Sequence, residues 1–405
     1  MLSSRLIKWL GVTVVAILIA ACAASPAPST PAAAPTATLR PIMKPTVTSI
    51  ASPTRAPTAS PAPAASPVAP PTPTPDSRVM TTFAADVNPL TGETVADPAM
   101  LNRRPLAIKI GNSTEAGVRP QAGASFADWV IEHESEGGIP RWTAIFYGKT
   151  PTRVGGSRSC RIIDTEIPAI FQSLLACSGM SGGTREFYIK PSDFNQEKRF
   201  FTPDFGDYTP MFYRGDNAAP PHNLFVAPAE IWKEADKRGS NTKPTITGLA
   251  FAAQPIEPGK PASDVKLKYG SETVNWKYDP QSTTCGARAG CYLRWGAGVP
   301  QSDSLNGQQL SVANLLVIYA NHVEDGRFLE EDYGAFKAFG IQIQLWNSGA
   351  FKLFRDGQVF EGTWSRTERN QMLKFTDAAG HLMPLKPGQS WIELQRLDAP
   401  ITVAP

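Results

Sequence analysis

The first half of the folded region, from residue 83 to about 240, mixes two kinds of apolar spacing. Apolar runs bounded by turn residues predict strands at Leu106–Ile110, Trp129–His133 and Trp142–Tyr147. Apolar positions three and four residues apart predict helices over Ile162–Ala176 and Pro228–Arg238, with a glycine directly after the second helix as its C-cap. Strands mixed with helices indicate an α/β (or α+β) domain.

From about residue 243 the pattern changes to strands and turns. Strand-like runs, several of them with clear alternation of apolar and polar residues, include Val265–Tyr269, Val274–Tyr278, Leu315–Tyr319, Ile341–Leu345, Phe351–Phe354, Val359–Trp364 and Trp391–Leu394. The dipeptide Asp356-Gly357 lies between two of these strands and is typical of a hairpin turn. The second half is therefore expected to be mostly β.

The N-terminus has the pattern of an export signal. Arg5 and Lys8 precede an apolar stretch, Trp9–Ala21, which is short for a bilayer span and suits a signal peptide. The stretch ends in Ile-Ala-Ala-Cys22, which is similar to the bacterial lipobox, where the cysteine accepts a diacylglycerol. We predict a lipoprotein anchored through Cys22 to the outer, extracytoplasmic face of the cell membrane. The alternative is an ordinary signal peptide with a chance cysteine, or an uncleaved anchor.

The segment between this cysteine and the folded region is almost wholly proline, alanine, threonine and serine. It has too little apolar surface to offset the entropy of ordering it, so we predict a disordered, extended tether. The sequence thus divides into a signal peptide (1–21), the lipidated cysteine with its tether (22–79), an α/β domain (80–242) and a β-rich domain (243–399).

Composition argues against several classes of partner. The formal net charge is +3, and no block of lysine and arginine follows the N-terminus, so nucleic acid is not an expected partner. The four histidines, His133, His222, His322 and His381, do not have the spacing of metal ligands. We therefore predict neither a metal site nor a cofactor.

Four cysteines remain once Cys22 is assigned to the lipid: Cys160, Cys177, Cys285 and Cys291. An even number in an exported chain favours disulfide bonds. Proximity in sequence favours pairing Cys160 with Cys177 and Cys285 with Cys291, although four cysteines permit three connectivities.

Polar residues that could bind a ligand concentrate in the first half. The candidates are Asn112, Asp128, Glu132, Glu136, Arg141, Arg158, Arg161, His222 and Asn223. The predicted hairpin could bring Glu136 near Arg141, and two arginine side chains suit a phosphate or carboxylate because each donates in a planar fork. A helix starting near Ile162 would add its N-terminal amides beside the arginines. The alternative is a structural network of ion pairs that fixes the hairpin to the helix.

The order of several short motifs resembles the YerB-like bacterial lipoprotein family, whose domain has no established function. The matching pieces cover most of residues 88–396 and are Asn88-Pro-Leu-Thr-Gly92, Arg104-Pro105, Arg119-Pro-Gln-Ala-Gly123, Ala127-Asp128, Glu136-Gly-Gly-Ile139, Gly155-Gly-Ser-Arg158-Ser-Cys-Arg161, Pro221-His222-Asn223-Leu224, Asn306-Gly-Gln-Gln-Leu310, Gly362-Thr-Trp364 and Pro387-Gly-Gln-Ser-Trp-Ile392. The sequence departs from the family pattern at Gly111, where the resemblance implies an acidic residue, at Gly156-Ser157 and Cys160 around Arg158, and at Gln301, where it implies a histidine.

Two functions are compatible with these features. The first is a non-enzymatic module of the cell envelope that binds an anionic cell-wall component or an envelope protein, with Arg141, Arg158 and Arg161 as anchors. The alternative is an envelope enzyme acting on a phosphate-containing lipid or glycan, loosely similar to the LytR–CpsA–Psr phosphotransferases. That alternative predicts a long apolar cavity with the arginines at its mouth. Because no complete catalytic constellation is visible, an enzymatic activity is the less favoured interpretation.

Overall fold

A computed structural model describes residues 76–405 except 217, 256, 271 and 333. The predicted signal peptide, the lipidation site Cys22 and the tether up to residue 75 lie outside the described residues. The described residues, from Asp76 to Pro405, belong to one compact unit.

The strands of the first half are short. They are β1 (Val87–Asn88), β2 (Glu93–Thr94), β3 (Leu106–Gly111), β4 (Trp129–Glu134), β5 (Pro140–Phe146), β6 (Val154–Gly155), β7 (Leu174–Ala176), β8 (Phe200–Phe201), β9 (Phe212–Arg214) and β10 (Leu224–Val226).

The strands of the second half include several long ones. They are β11 (Lys260–Pro261), β12 (Asp264–Tyr269), β13 (Glu272–Asp279), β14 (Cys291–Gly296), β15 (Val299–Pro300), β16 (Ser311–Val312), β17 (Asn314–Asp332), β18 (Lys337–Gln344), β19 (Asn347–Arg355), β20 (Gln358–Arg366), β21 (Lys374–Thr376), β22 (Ser390–Arg396) and β23 (Thr402–Ala404).

All described helices fall in the first half. The α-helices are α1 (Ile167–Ile170), α2 (Gly182–Thr184), α3 (Asp193–Gln196) and α4 (Pro228–Arg238), and a π-helical turn spans Arg185–Ile189. Turns of 3-10 helix span Pro98–Asn102, Ala124–Phe126, Glu136–Gly138, Ile162–Thr165 and Pro203–Phe205. The prediction of an α/β half followed by a mostly β half is confirmed.

The predicted helix over Ile162–Ala176 is wrong in its second part. A 3-10 turn and the four-residue helix α1 occupy its start, and β7 occupies its end. The helical spacing of the apolar residues is misleading here, because the last of them are buried within a sheet and not on one face of a helix. Leu174 to Ala176 pair in parallel with Leu106 to Ile108 of β3, so these residues complete a sheet instead of a helix.

One large sheet joins the two halves of the sequence. Its strands run in the order β11-β20-β19-β17-β22-β4-β5-β3-β7-β8, with β18 and β21 attached at the side. Strand β22, near the C-terminus, lies between β17 and β4 and is parallel to both. The first half therefore completes its sheet with a strand from 261 residues further along the chain, since Trp129 pairs with Ser390 and Glu132 pairs with Glu393.

Both faces of the central sheet are covered. A second sheet, in the order β15-β14-β13-β12-β23 with β16 beside β14, packs on one face, where Val130 and Trp142 share a core with Val265 and Trp276. The other face packs against α1, against residues near Phe251 and against β18. A strand with two covered faces has no polar side, and β4 is accordingly buried from Trp129 to His133.

Both favoured disulfide bonds are present. Cys160–Cys177 ties the loop after β6 to the end of β7, and Cys285–Cys291 closes a short loop before β14. Closing the first loop should stabilise the fold by about 3 kcal/mol in the chain-entropy estimate.

We predict that residues 76–242 do not fold when they are expressed without the rest of the chain. Without β22, β4 would become an apolar edge strand with unpaired backbone groups. Without the second sheet, the face of β4 that this sheet normally covers would be exposed to solvent. The expected result is an aggregated or protease-sensitive fragment, and co-expression with residues 243–405 should restore a soluble complex. A fragment with a cooperative thermal transition of its own would contradict this prediction.

Candidate functional site

Three arginines that the sequence selected meet at one end of β5. Arg141 starts that strand, while Arg158 and Arg161 lie in the loop after β6. This loop, residues 156–161, is held against the sheet because the amide of Arg158 donates to the carbonyl of Lys109 at 3.2 Å. The disulfide at Cys160 fixes it from the other side. We call Arg141, Arg158 and Arg161 the arginine cluster.

The glycine pair before the cluster allows two backbone segments to touch. A Cβ at Gly156 would lie 2.3 Å from the carbonyl oxygen of His222, and one at Gly155 would lie 2.7 Å from that of Leu224. Both distances are too short for a side chain. The close approach places His222 beside the cluster, where Arg158 Nη2 donates to His222 Nδ1 at 2.9 Å.

Gly111, one of the departures from the family pattern, makes room for Arg158. A Cβ at this position would lie 2.8 Å from Arg158 Cγ and 3.2 Å from its Nε. The stem of Arg158 therefore crosses the end of β3 directly over the glycine. An acidic side chain at position 111 would occupy this space.

Arg161 is already neutralised inside the protein. Its Nε pairs with Glu136, and Glu330 of β17 lies 3.9 Å from the same nitrogen. The predicted approach of Glu136 to Arg141 thus gives no ion pair; Glu136 binds Arg161 instead. The predicted contribution of helix amides is also wrong, because the segment at Ile162 is a four-residue 3-10 turn and Asp164 accepts the hydrogen bond of the Arg161 amide at 2.7 Å.

Arg141 has far fewer partners than its neighbours. Its Nη1 donates to the carbonyl of Ser159 at 2.9 Å, and no carboxylate of the described residues lies within salt-bridge distance of its guanidinium. Burial, followed by the positive charge of Arg161, lowers the pKa of Arg141. Because an arginine stays protonated in proteins, this lowered pKa indicates positive charge that the protein leaves uncompensated.

Arg158 is held only loosely by acidic groups. Its Nη2 lies 3.7 Å from Glu115, whose side chain is 60% exposed. Burial is the main cause that lowers the pKa of Arg158, and the charge of Arg161 acts in the same direction. An exposed ion pair at this distance is weak and is screened by salt. An external anion could therefore replace Glu115 at Arg158.

Lys109 is the centre of a buried network of polar side chains beneath the arginine cluster. Lys109 Nζ contacts Asp164 at 2.8 Å and donates to Thr143 Oγ1 at 3.3 Å, and it also meets the imidazole of His133. Burial lowers the pKa of Lys109 to about 8 and lowers the pKa of His133 well below its usual range. Neutral His133 is thus the acceptor for Lys109, and this group orders the strands under the arginines.

Asn112 and Glu132 belong to a separate buried network, on the face of the sheet that carries the second sheet. Asn112 Nδ2 donates to Glu132 Oε1 at 2.8 Å, and Gln301, another departure from the family pattern, donates to Asn112 Oδ1 at 3.0 Å. Arg119 Nε also donates to Asn112 Oδ1, at 3.1 Å.

The centre of this network is Arg294 of β14. It lies 2.7 Å from Glu132 and 3.0 Å from Glu393, and none of the three side chains is exposed. Burial raises the pKa of Glu132 well above its usual range and also raises that of Glu393. One guanidinium balances one carboxylate, so the group becomes neutral when the second carboxylate keeps its proton. We call Arg294, Glu132 and Glu393 the buried triad.

Aromatic rings enclose the guanidinium of the triad. The ring centroids of Trp142, Trp276 and Trp391 lie 4.9 to 5.4 Å from Arg294 Cζ. Trp276 Nε1 donates to Glu393 at 2.8 Å. The triad is sealed from solvent, so Glu132 and Asn112 act in stability and not in ligand contact.

The remaining two candidates also stabilise loops. Asp128 accepts hydrogen bonds from Asn88 Nδ2 at 2.8 Å and from the amide of Gly148 at 3.1 Å, at the opposite end of β4 from the arginines. Asn223 binds Arg214 Nη1 at 2.9 Å within the turn between β9 and β10. The structure therefore brings Glu136, His222 and the arginine cluster together, and it places Asn112, Asp128, Glu132 and Asn223 elsewhere.

Sequence reasoning missed Arg294, Glu393 and Lys109. A signal for them existed in the strand patterns. Each is a charged residue at a position where alternation or a continuous apolar run demands a buried side chain, as in Trp391-Ile-Glu-Leu394. Buried charges of this kind are paired in folded proteins.

The larger of two described cavities lies away from the arginines. It has a volume of about 610 Å³ and is lined in part by Val79, Leu353, Arg355 and Phe360. The arginine cluster lines neither cavity. Within residues 76–405, apart from the four gaps, no helix has the length and apolar character of a membrane span, and no three histidine, cysteine or acidic side chains gather as metal ligands.

Comparison with known proteins identifies relatives along most of the chain. Residues 90–241 match the family described as "Protein of unknown function (DUF3048) N-terminal domain", and residues 265–392 match the corresponding C-terminal domain. "Putative lipoprotein YerB" of Bacillus subtilis (strain 168) is 28% identical over 320 residues, which cover 76% of this chain and 85% of that protein. The crystal structure of YerB protein from Bacillus subtilis matches with a TM-score of 0.62 and 27% identity, covering 78% of this chain and 99% of that one. The resemblance stated from the order of motifs is confirmed.

We predict that Arg294→Met destabilises the protein by about 3–5 kcal/mol, because it leaves the ionised member of a buried pair of acids without a counter-charge. Chemical denaturation measures the loss. Adding Glu132→Gln and Glu393→Gln to the same chain should recover part of it, since neutral amides need no cation.

The matched control is Lys266→Met, which breaks the exposed contact of Lys266 with Asp264 at 3.7 Å. It should change the free energy of unfolding by no more than about 0.5 kcal/mol. Equal losses for the two single variants would show that the buried triad does not support the fold.

Proposed function

This chain belongs to the DUF3048 family, and we propose that it is a lipid-anchored protein of the outer face of the cell membrane that binds an anionic component of the cell envelope. The binding surface is the arginine cluster, and the proposal is one of recognition, without a chemical reaction.

The anchoring part rests on the N-terminal sequence and on a relative. The stretch that ends in Cys22 resembles a lipobox, and a proline-rich segment follows it directly. The similar protein from Bacillus subtilis carries the description of a lipoprotein. Two or more acyl chains on the cysteine would hold the protein at the membrane stably, where a single chain would not.

The anion-binding part rests on one observation: the guanidinium of Arg141 has a single backbone acceptor and no acidic partner among the described residues. A partly buried cation of this kind gains free energy from an external anion that supplies the missing counter-charge. Arg158 offers a second set of donors on the same loop-and-strand surface, next to the exposed and loosely bound Glu115. Two arginine forks together favour a phosphate or a carboxylate.

The neighbouring groups position the two arginines. Arg161, paired with Glu136, sets the end of the loop, and Cys160 attaches that loop to the sheet. His222 accepts from Arg158 and so orients its Nη2. Arg141 and Arg158 are therefore the ligand-binding residues in this proposal, and Arg161, Glu136 and His222 are positioning residues.

The phosphotransferase alternative needs an apolar cavity with arginines at its mouth. The cavity of about 610 Å³ is lined by other residues, and none of the three arginines is among them. Binding of an anion is therefore the function that the arginine cluster supports best.

We predict that Arg141→Gln and Arg158→Gln each abolish stabilisation by anionic ligands while the domain stays folded. Wild-type protein should show a rise in Tm with inorganic phosphate, glycerol phosphate or phosphorylated cell-wall fragments at low salt, because a ligand that binds only the folded state stabilises it. Thermal-shift measurements compare the variants over a series of ligand concentrations.

The control is Arg185→Gln, which removes an exposed arginine that pairs with Glu186 and does not belong to the arginine cluster. It should keep the full ligand-induced shift. If no phosphorylated or carboxylated fragment stabilises the wild type, or if the control loses the shift as well, the anion site is refuted.

We also predict that Cys22→Ser releases the protein from the membrane fraction. The thiol is the acceptor for the lipid, and a hydroxyl does not replace it. Labelling of bacterial cells with a radioactive fatty acid should mark the wild type and not the variant. Equal membrane association and equal labelling of both would refute the anchoring at Cys22.

A further inference from the structure

The cavity of about 610 Å³ has the size of sites that bind small ligands or a few side chains of a peptide, roughly 300–1,000 Å³. Its walls are largely apolar and are formed by Val79, Leu353, Phe360, Leu382 and Met383. Burying apolar groups of a ligand against these side chains would stabilise a complex.

An unpartnered donor lies at the floor of the cavity. Arg355 lines it and is 1% exposed, and its Nη2 is buried without a hydrogen-bond partner among the described residues. The other nitrogens are occupied, because Nε binds Asp356 at 2.8 Å and Nη1 donates to the carbonyl of Pro384 at 3.0 Å. A buried donor without a partner costs about 1–3 kcal/mol. Because this nitrogen has almost no accessible surface, a ligand oxygen reaches it when side chains of the cavity wall move aside, and the hydrogen bond then removes that cost.

The floor and the rim of the cavity differ in charge. At the floor, Asp356 is shared between Arg355 and Lys386, which lies 3.0 Å from it, so one positive charge is in excess. At the rim lie three carboxylates, Asp76, Glu257 and Asp377. Asp76 pairs with Arg78 and Asp377 lies 3.4 Å from His381. Glu257 is exposed and makes no described ion pair, although its charge also acts on Arg78, so the three carboxylates outnumber the arginine of the rim. The rim therefore favours a cation and disfavours a fatty acid or an anionic headgroup.

We propose that this cavity is a second binding site, which takes a peptide segment with apolar side chains next to a basic residue. The apolar side chains fill the space between Val79 and Phe360, a backbone carbonyl of the peptide accepts from Arg355 Nη2, and the basic side chain meets the acidic rim at Glu257. A peptide satisfies all three features at once, because it carries a carbonyl at every residue and a cation a few ångströms from its apolar groups. The site is independent of the arginine cluster.

The test uses the exported chain from Ala23 onward and two pools of acetylated pentapeptides. In both pools the three central positions are drawn from leucine, isoleucine, valine, proline and phenylalanine; lysine flanks them in one pool and glutamate in the other. The lysine pool should raise the Tm of the wild type, and the glutamate pool should raise it much less. Octylamine is a third probe, which has a cation and an apolar chain but no carbonyl.

Two variants locate the binding. Val79→Trp fills the cavity from a partly exposed wall and should abolish the shift, while Glu257→Lys should weaken apparent affinity about three- to tenfold by reversing an exposed charge. Glu368→Lys reverses an exposed carboxylate that does not line the cavity and should leave the affinity unchanged.

Three results would overturn the proposal. The first is no shift with the lysine pool, and the second is an equal or larger shift with the glutamate pool. The third is stabilisation by octylamine that matches the lysine pool, which would identify a site for small amphiphiles and not for peptides. An unchanged shift in Val79→Trp would place the binding outside the cavity and overturn it as well.

Discussion

The parallel pairing of β4 with β22 is the constraint on which the rest of the structure depends. It places a strand from the end of the sequence in the middle of a sheet that the first half begins, and its register sets Glu393 directly beside Glu132. Two buried carboxylates side by side repel each other unless a cation lies between them. Arg294 supplies that cation from the second sheet, so the pairing, the packing of the two sheets and the charge balance require one another.

The same arrangement explains why the arginine cluster keeps its geometry. β4 and β5 are fixed at the triad end of the sheet, and the loop after β6 is attached to this frame through Cys160 and through the backbone of Lys109. The second half also contributes directly, since Glu330 of the long strand β17 approaches Arg161. A surface made mostly of residues from the first half is thus completed by the second.

Much of the fold could be predicted from the sequence because its signals are local. The apolar runs at β3, β4 and β5 and the alternation in β12, β13 and β19 correspond to the observed strands. The helix α4 with Gly239 in the left-handed conformation was also predicted, as was the turn at Asp356 and Gly357. The segment around Leu174 was not, because its helical spacing is overridden by a long-range partner, β3.

The candidate site was predictable only in its composition. The sequence singled out nine polar residues, and the structure distributes them over both faces of the central sheet. Arg141 and Glu136 lie on one face, whereas Glu132 lies on the other face. Asp128 lies at the far end of β4. Which carboxylate neutralises which arginine depends on loop paths that local spacing does not encode.

By itself, the sequence determined the family, the order of strand and helix signals, the candidate disulfide bonds and the expectation of an exported, anchored chain. Each of these depends on short motifs or on residues that are close together in the chain. Only the tertiary structure decided that the two halves share one sheet, that Arg294 is the buried counter-charge and that Arg141 has no acidic partner among the described residues. These facts depend on pairings between residues far apart in the chain, where the balance of burial and charge is set by the whole fold and not by any one segment.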